Sequence, residues 1–137
     1  MQIDYSLDEK LYKNNFELIH GVFLTYEPNF SNKSKNHEEI IEFYKTNIEE
    51  YCKSKKYSNN FKFTIVDNIS SNDFRSHLEN IAHKNSIEII YIDEWVLSSE
   101  AFNYYVRKNK NTNDIYLWLA SDTKPNHKEW LSSLIED

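Results

Sequence analysis

The chain alternates between apolar patterns typical of strands and apolar patterns typical of helices. Short apolar runs bounded by polar residues predict strands, and apolar residues three and four positions apart predict helices with one buried face. The sequence predicts strands at residues 16–26, 61–66, 87–92 and 115–120, and helices at 37–56, 72–84 and 125–136. Residues 8–14 also fit a short helix.

Individual residues mark several of the predicted element ends. Asn36 is the predicted N-cap of the first long helix, and Glu38 and Glu39 follow it where the helix dipole favours acids. Gly21 is the only glycine of the chain and interrupts the first strand, which predicts a bulge or bend there. The last helix is predicted to bury a stripe made of Trp130, Leu131, Leu134 and Ile135.

Residues 94–108 fit two different structures. As a helix capped by Ser98 or Ser99, this stretch aligns four apolar side chains on one face, namely Ala101, Phe102, Tyr105 and Val106. As a strand, it would pair with residues 115–120 in a hairpin. The helical interpretation is preferred, and the strand interpretation stays open.

The alternation of strands and helices predicts an α/β fold. We expect a single three-layer domain over residues 1–137, with a mostly parallel or mixed sheet of four or five strands and flanking helices. The hairpin interpretation predicts instead an α+β fold with an antiparallel C-terminal hairpin at about residues 101–120. A single glycine is unusual for the tight turns of doubly wound folds.

The net charge and the cysteine content limit the cellular compartments and the classes of partner that the sequence predicts. The 137 residues carry 22 acids and 16 lysines and arginines, for a net charge of −6. This acidic balance argues against nucleic-acid binding, which needs a basic field. No apolar run is long enough to cross a membrane, and Cys52 has no second cysteine to pair with. The sequence therefore predicts a cytoplasmic protein without a membrane partner.

Several catalytic and binding motifs are excluded by residue counts. With Gly21 as the only glycine, the chain has neither a phosphate-binding P-loop nor a dinucleotide fingerprint. The five histidines lack metal-ligand spacing, and Cys52 falls on an apolar helix stripe where an inert, packed thiol is expected.

Acidic residues follow the ends of four apolar runs, at Glu27, Asp67, Asp93–Glu94 and Asp122. The carboxyl ends of parallel strands share one edge, where open α/β sheets bind ligands. We therefore interpret Asp67, Asp93 and Asp122 as a candidate Mg²⁺ site for a hydrolase or a phosphoryl-transfer enzyme. The competing explanation is that acids favour the turns that follow strands.

Aromatic residues make up 15% of the chain, and ten of them are tyrosines. Such side chains are enriched at protein interfaces because they combine a large apolar area with a polar tip. The predicted protein-binding surface consists of Trp95, Tyr104, Tyr105 and Tyr116, with the acids Asp93 and Glu94.

The sequence favours a binding protein over an enzyme. The preferred hypothesis is a small acidic protein-binding module without a cofactor, such as an immunity or anti-defence inhibitor of a nuclease toxin or a defence effector. Its partner would be a protein with a basic surface, because opposite charge speeds encounter. The Mg²⁺-dependent hydrolase or phosphoryl-transfer enzyme is the alternative, and self-association is a third interpretation.

Overall fold

A four-stranded sheet organises the chain in this computed structural model, which describes residues 18–27, 33–56, 60–111, 113–126, 129–131 and 134. The strands are β1 (Ile19–Thr25), β2 (Phe61–Asn68), β3 (Glu88–Ile92) and β4 (Ile115–Ala120). The helices are α1 (Lys33–Cys52), α2 (Asn72–Lys84) and α3 (Ser98–Lys108), and a 3-10 helix (Lys53–Lys56) follows α1.

The strand order is β3-β2-β1-β4, and all three strand pairs are parallel. β1, β2 and β3 lie side by side in chain order. The chain then crosses to the other side of β1, where β4 pairs with it. The predicted α/β class is therefore confirmed. The alternative antiparallel hairpin is wrong, because residues 98–108 form α3 and β4 pairs in parallel with β1.

Both faces of the two central strands are buried. On one face Phe23 and Phe63 pack with Ile48 of α1 and Leu78 of α2. On the other face the smaller cluster under α3 consists of Val22, Leu24, Val66, Ala101 and Tyr105. Because neighbouring residues of a strand point to opposite faces, a central parallel strand is buried along its whole length, as β1 is. None of the helices within the described ranges is long and apolar enough to cross a bilayer.

Two predicted helix caps are wrong. The backbone is already helical at Lys33, so Asn36 lies inside α1 and does not cap it. The N-cap of α3 is Leu97, which has an extended backbone and makes no side-chain cap hydrogen bond, so Ser98 and Ser99 lie inside the helix. In contrast, α2 has the predicted limits and the predicted buried face.

Part of the C-terminal prediction lies within the described residues. Leu131 is buried, and the ring of Trp130 packs edge-on against Tyr51 and Phe61, with ring centroids 5.5 Å and 5.9 Å away. Leu134 is 55% exposed, so its predicted place in the buried stripe is wrong. The predicted helix at residues 8–14 and the prediction for Ile135 lie outside the described residues.

Gly21 makes room for a neighbouring ring and does not form the predicted bulge. It stands in regular register opposite Phe63 on β2 and Leu117 on β4. A Cβ atom at this position would lie 2.8 Å from the ring of Phe61 and 3.0 Å from Cδ1 of Leu119. The glycine therefore allows Phe61 to pack directly on the backbone of β1.

We expect Gly21→Ala to lower the free energy of unfolding by about 1–3 kcal/mol, because the added methyl group overpacks the core. Urea denaturation of the purified protein measures this loss. A Gly21→Ala, Phe61→Leu double variant, which removes the ring edge, should be less destabilised than the sum of its single changes. Unchanged stability of Gly21→Ala would contradict the packing role.

Candidate ligand-binding crevice

A crevice of roughly 510 Å³ opens at the carboxyl edge of the sheet, within the size range of small-molecule sites. It lies beside the ends of β1 and β4, where the strand order reverses. Crevices at such switch points bind the ligands of open α/β sheets. The walls come from the strand ends, the loops that follow them and the start of α3, at residues 24–27, 68–69, 95–98, 101, 118 and 120–122.

Three exposed aromatic side chains line this crevice. Tyr26 follows β1, Trp95 stands in the loop before α3, and Trp118 belongs to β4; they are 54%, 70% and 48% exposed. The ring of Trp118 stacks on Phe102 of α3, with centroids 5.6 Å apart and an angle of 17° between the planes. The crevice therefore offers flat apolar surfaces to a ligand.

Asp67, the acid at the end of β2, is completely buried and makes four hydrogen bonds. Its carboxylate accepts from the Thr25 hydroxyl at 2.9 Å, from the Ser70 N–H at 3.2 Å, from the Ser70 hydroxyl at 2.7 Å and from Nε of Arg75 at 2.9 Å. A carboxylate has about four lone-pair positions, so these donors use its full capacity. Asp67 fixes the turn after β2 and ties it to β1.

Arg75 of α2 clamps the ends of β2 and β3 together. Besides its bond to Asp67, it donates to the Asp93 carboxylate at 2.8 Å and to the Ile92 carbonyl at 2.9 Å. Its guanidinium lies over the ring of Tyr91, 4.5 Å from the ring centroid. Burial alone would lower the pKa of Arg75, but the hydrogen bonds to Asp93 and Asp67 raise it above the ordinary value. The Arg75 guanidinium therefore keeps its positive charge.

The three acids predicted as a Mg²⁺ site do not come together. Arg75 joins Asp67 to Asp93, whereas Asp122 follows β4 and lines the crevice. Over the described ranges, no group of three or more histidines, cysteines, aspartates or glutamates could hold a metal ion. The strand ends do share an edge, as predicted, but one guanidinium forms ion pairs with two of the three carboxylates there.

The loop that carries Trp95 is joined to β2 by one side chain. The Asn68 amide donates to the Val96 carbonyl, and its oxygen accepts from the Val96 N–H at 3.4 Å. The next residue, Ile69, is exposed and has a φ of 50°, a left-handed backbone that is costly for a β-branched residue. Such outliers cluster at functional sites, and Ile69 lines the crevice.

Helix α1 supports the crevice from the opposite face of the sheet through buried polar side chains. Burial raises the pKa of Tyr44, so its hydroxyl keeps its proton and donates to the backbone. The contacts are Tyr44 Oη to the Tyr26 carbonyl at 3.0 Å, Asn47 Nδ2 to the Ser121 carbonyl at 3.0 Å, and Tyr51 Oη to Thr123 Oγ1 at 2.8 Å. The sequence pattern missed this role because two of these residues belong to an apolar stripe.

The predicted protein-binding residues separate into exposed and buried groups. Trp95, Tyr104, Asp93 and Glu94 are exposed. Tyr105 is completely buried, so its assignment to an exposed surface is wrong; α3 turns it toward the sheet together with Ala101. The half-buried Tyr116 stacks on His20, with ring centroids 4.5 Å apart.

A buried histidine network near the amino ends of β1 and β4 was not predicted from the sequence. His20 contacts the Tyr105 hydroxyl through Nδ1 at 2.7 Å and the Asp114 carboxylate through Nε2 at 2.7 Å. The other Asp114 oxygen accepts from the Leu18 N–H at 3.1 Å. This network joins β1, α3 and the start of β4, and it lies at the opposite end of the strands from the crevice.

Comparison with known proteins gives one similar structure. No protein-family model and no curated protein sequence matches the chain. The chain is similar to the mannosyltransferase PcManGT from Pyrobaculum calidifontis, solved in complex with GDP-Man and Mn²⁺, with a TM-score of 0.61 and 16% sequence identity. The match covers 96% of this chain but only 38% of the mannosyltransferase. The similarity shows an α/β fold like that found in a glycosyltransferase.

Proposed function

We propose that the crevice binds a nucleoside diphosphate or a nucleoside-diphosphate sugar. The observation that carries this proposal is the position of the crevice, at the carboxyl edge of a parallel sheet and beside its switch point. The similar mannosyltransferase holds GDP-Man, which gives the ligand class. The proposal concerns binding of a glycosyl donor, since the chain spans 38% of that enzyme and transfer also needs an acceptor site.

The start of α3 supports binding of the phosphate groups. Leu97 and Ser98 line the crevice, so the N-terminus of this helix opens into it. The cap residue Leu97 makes no side-chain cap hydrogen bond, so no cap side chain satisfies the N–H groups of the first turn. Free N–H groups and the helix dipole together attract phosphate.

A divalent cation fits the crevice only together with phosphate ligands. Asp122 offers an exposed carboxylate, whereas Glu27 accepts hydrogen bonds from the N–H and hydroxyl of Ser71 at 3.1 Å and 2.9 Å. Mg²⁺ commonly binds through one or two carboxylates, with phosphate oxygens and water completing its shell. Asp122 would hold such an ion, whose charge would offset the repulsion between a diphosphate and a chain of net charge −6.

Calorimetric titration with GDP, UDP and GDP-mannose, in Mn²⁺ or in EDTA, tests the proposal. We expect saturable binding with a Kd below about 1 mM in Mn²⁺, and weaker binding in EDTA. Asp122→Asn should lower the affinity by about tenfold, roughly the effect of one charge-assisted contact. Asp73→Asn, the same charge change on the exposed face of α2, is the matched control and should bind like the wild type. Absence of saturable binding by the folded protein with all three nucleotides would refute the proposal.

The protein-binding role predicted from the sequence stays a second candidate. The observation in its favour is that Trp95 and Tyr104 are exposed, and that Trp95 directly follows the exposed acids Asp93 and Glu94. An immunity-type role with a basic partner protein remains a prediction on this surface. We do not retain the Mg²⁺-dependent hydrolase, because two of its three carboxylates are already held in ion pairs with Arg75.

A further inference from the structure

Trp95 is the most exposed large apolar side chain among the described residues, at 70%. It lines the crevice, and its indole makes no ring contact within the described part of the chain. Exposing so much apolar surface is unfavourable, at about 25 cal/mol for each Å² left in water. An indole in this position is well suited to stacking on a ligand that enters the crevice.

The loop around Trp95 is anchored on both sides of the indole. Two residues earlier, Asp93 receives a hydrogen bond from Arg75. One residue later, Val96 exchanges two backbone hydrogen bonds with the Asn68 side chain. These anchors hold the backbone of Trp95 at the rim of the crevice, so binding a ligand has to order only the side-chain torsions of the indole.

Trp95 and Asp122 stand on opposite sides of β1. The Asn68–Val96 contact places the Trp95 loop at the end of β2, whereas Asp122 follows β4. β2 and β4 both pair with β1, so their ends are about 10 Å apart at the usual strand spacing. A ligand that contacts both Trp95 and Asp122 therefore has to cross the end of β1, and an extended nucleoside diphosphate is long enough to do so.

The polar side chains at the end of β2 already form hydrogen bonds within the protein. One N–H of the Asn68 amide and its oxygen contact Val96, and all acceptor positions of Asp67 are used. Recognition by stacking alone tolerates different bases, and a larger ring system stacks over a larger area.

The geometry points to Trp95 as the surface on which the nucleobase stacks, with purines preferred over pyrimidines. This inference rests on the proposed nucleotide binding and adds the position and the selectivity of the base. It makes Trp95 a ligand-binding residue at the β2 side of the crevice, with the diphosphate running from the nearby start of α3 toward Asp122.

Tryptophan fluorescence and calorimetry with GDP, ADP, UDP and inorganic pyrophosphate, all in Mn²⁺, test this assignment. We expect GDP and ADP to quench the fluorescence, and both to bind more tightly than UDP. Trp95→Ala should lower the affinity for GDP by at least about fivefold, as for loss of an aromatic stacking surface, and leave that for pyrophosphate unchanged. Trp95→Phe should keep most of the GDP affinity.

Tyr104→Ala is the matched control, because it removes an exposed aromatic side chain of α3 that does not line the crevice. Circular dichroism confirms that each variant is folded. If wild-type protein binds GDP and Trp95→Ala binds it equally well, the stacking assignment is wrong while nucleotide binding stands. An equal loss of pyrophosphate and GDP affinity would also overturn it. If the wild type binds none of the four compounds, the proposed function itself fails.

Discussion

Asp67→Ala is expected to lower the free energy of unfolding by about 3–5 kcal/mol, as when one partner of a buried ion pair is removed. The variant leaves Arg75 without its buried partner and leaves the Ser70 N–H and the Thr25 hydroxyl without an acceptor. Urea denaturation followed by circular dichroism measures the change. Because Asp67 fixes the turn beside the crevice, the folded fraction of the variant should also bind nucleotide more weakly.

Two companion variants separate the contributions of charge and position. Asp67→Asn keeps one acceptor oxygen and nearly the same volume, so its loss of stability should be smaller than that of the alanine variant. Asp122→Ala removes an exposed carboxylate of the same crevice and should change stability by less than about 0.5 kcal/mol. An Asp67→Ala protein as stable as Asp122→Ala would show that the buried carboxylate has no structural role.

Asp114→Ala should be the second strongly destabilising change, at about 2–4 kcal/mol, because it leaves a buried polar ring without its partner. His20 would lose its contact at Nε2, and the Leu18 N–H would lose its acceptor. Denaturation in urea provides the measurement.

A double-mutant cycle with His20→Phe isolates the His20–Asp114 interaction. If the two side chains stabilise each other, Asp114→Ala should cost clearly less in the His20→Phe background than in the wild type. Equal costs in both backgrounds would mean that Asp114 acts only through the Leu18 N–H and that the contact with His20 contributes no stability.

The sequence pattern predicted those elements whose end residues and buried face lie within one short stretch of the chain. For α2, Ser71 caps the start and four apolar residues share one face, so its limits follow from the sequence alone. Residues 94–108 were ambiguous because both periodicities fit, and pairing of β4 with β1 decides between them only in three dimensions. The α3 side of the sheet buries Tyr105 and leaves Tyr104 exposed, a distinction that depends on the rotation of the helix against the sheet.

The carboxyl edge was predicted as a candidate Mg²⁺ site under the alternative hypothesis, but the contacts among its side chains were not predicted. The acids follow the strands, so parallel pairing was enough to place them at one edge. Arg75 lies eight residues after Asp67 and 18 residues before Asp93, and nothing in the spacing shows that it would reach both. Composition likewise pointed to aromatic surfaces without showing that Tyr26, Trp95 and Trp118 line one crevice.

The walls of the crevice contain no glycine, since the only one of the chain lies in the middle of β1. Residues with a Cβ atom have fewer accessible backbone conformations than glycine, so these walls lose little conformational entropy when a molecule fills them. Many phosphate-binding loops are flexible and close around the ligand that they bind. Without glycine, the backbone of the crevice walls has less freedom to adjust, so any selectivity of the proposed nucleotide site has to come from its existing shape.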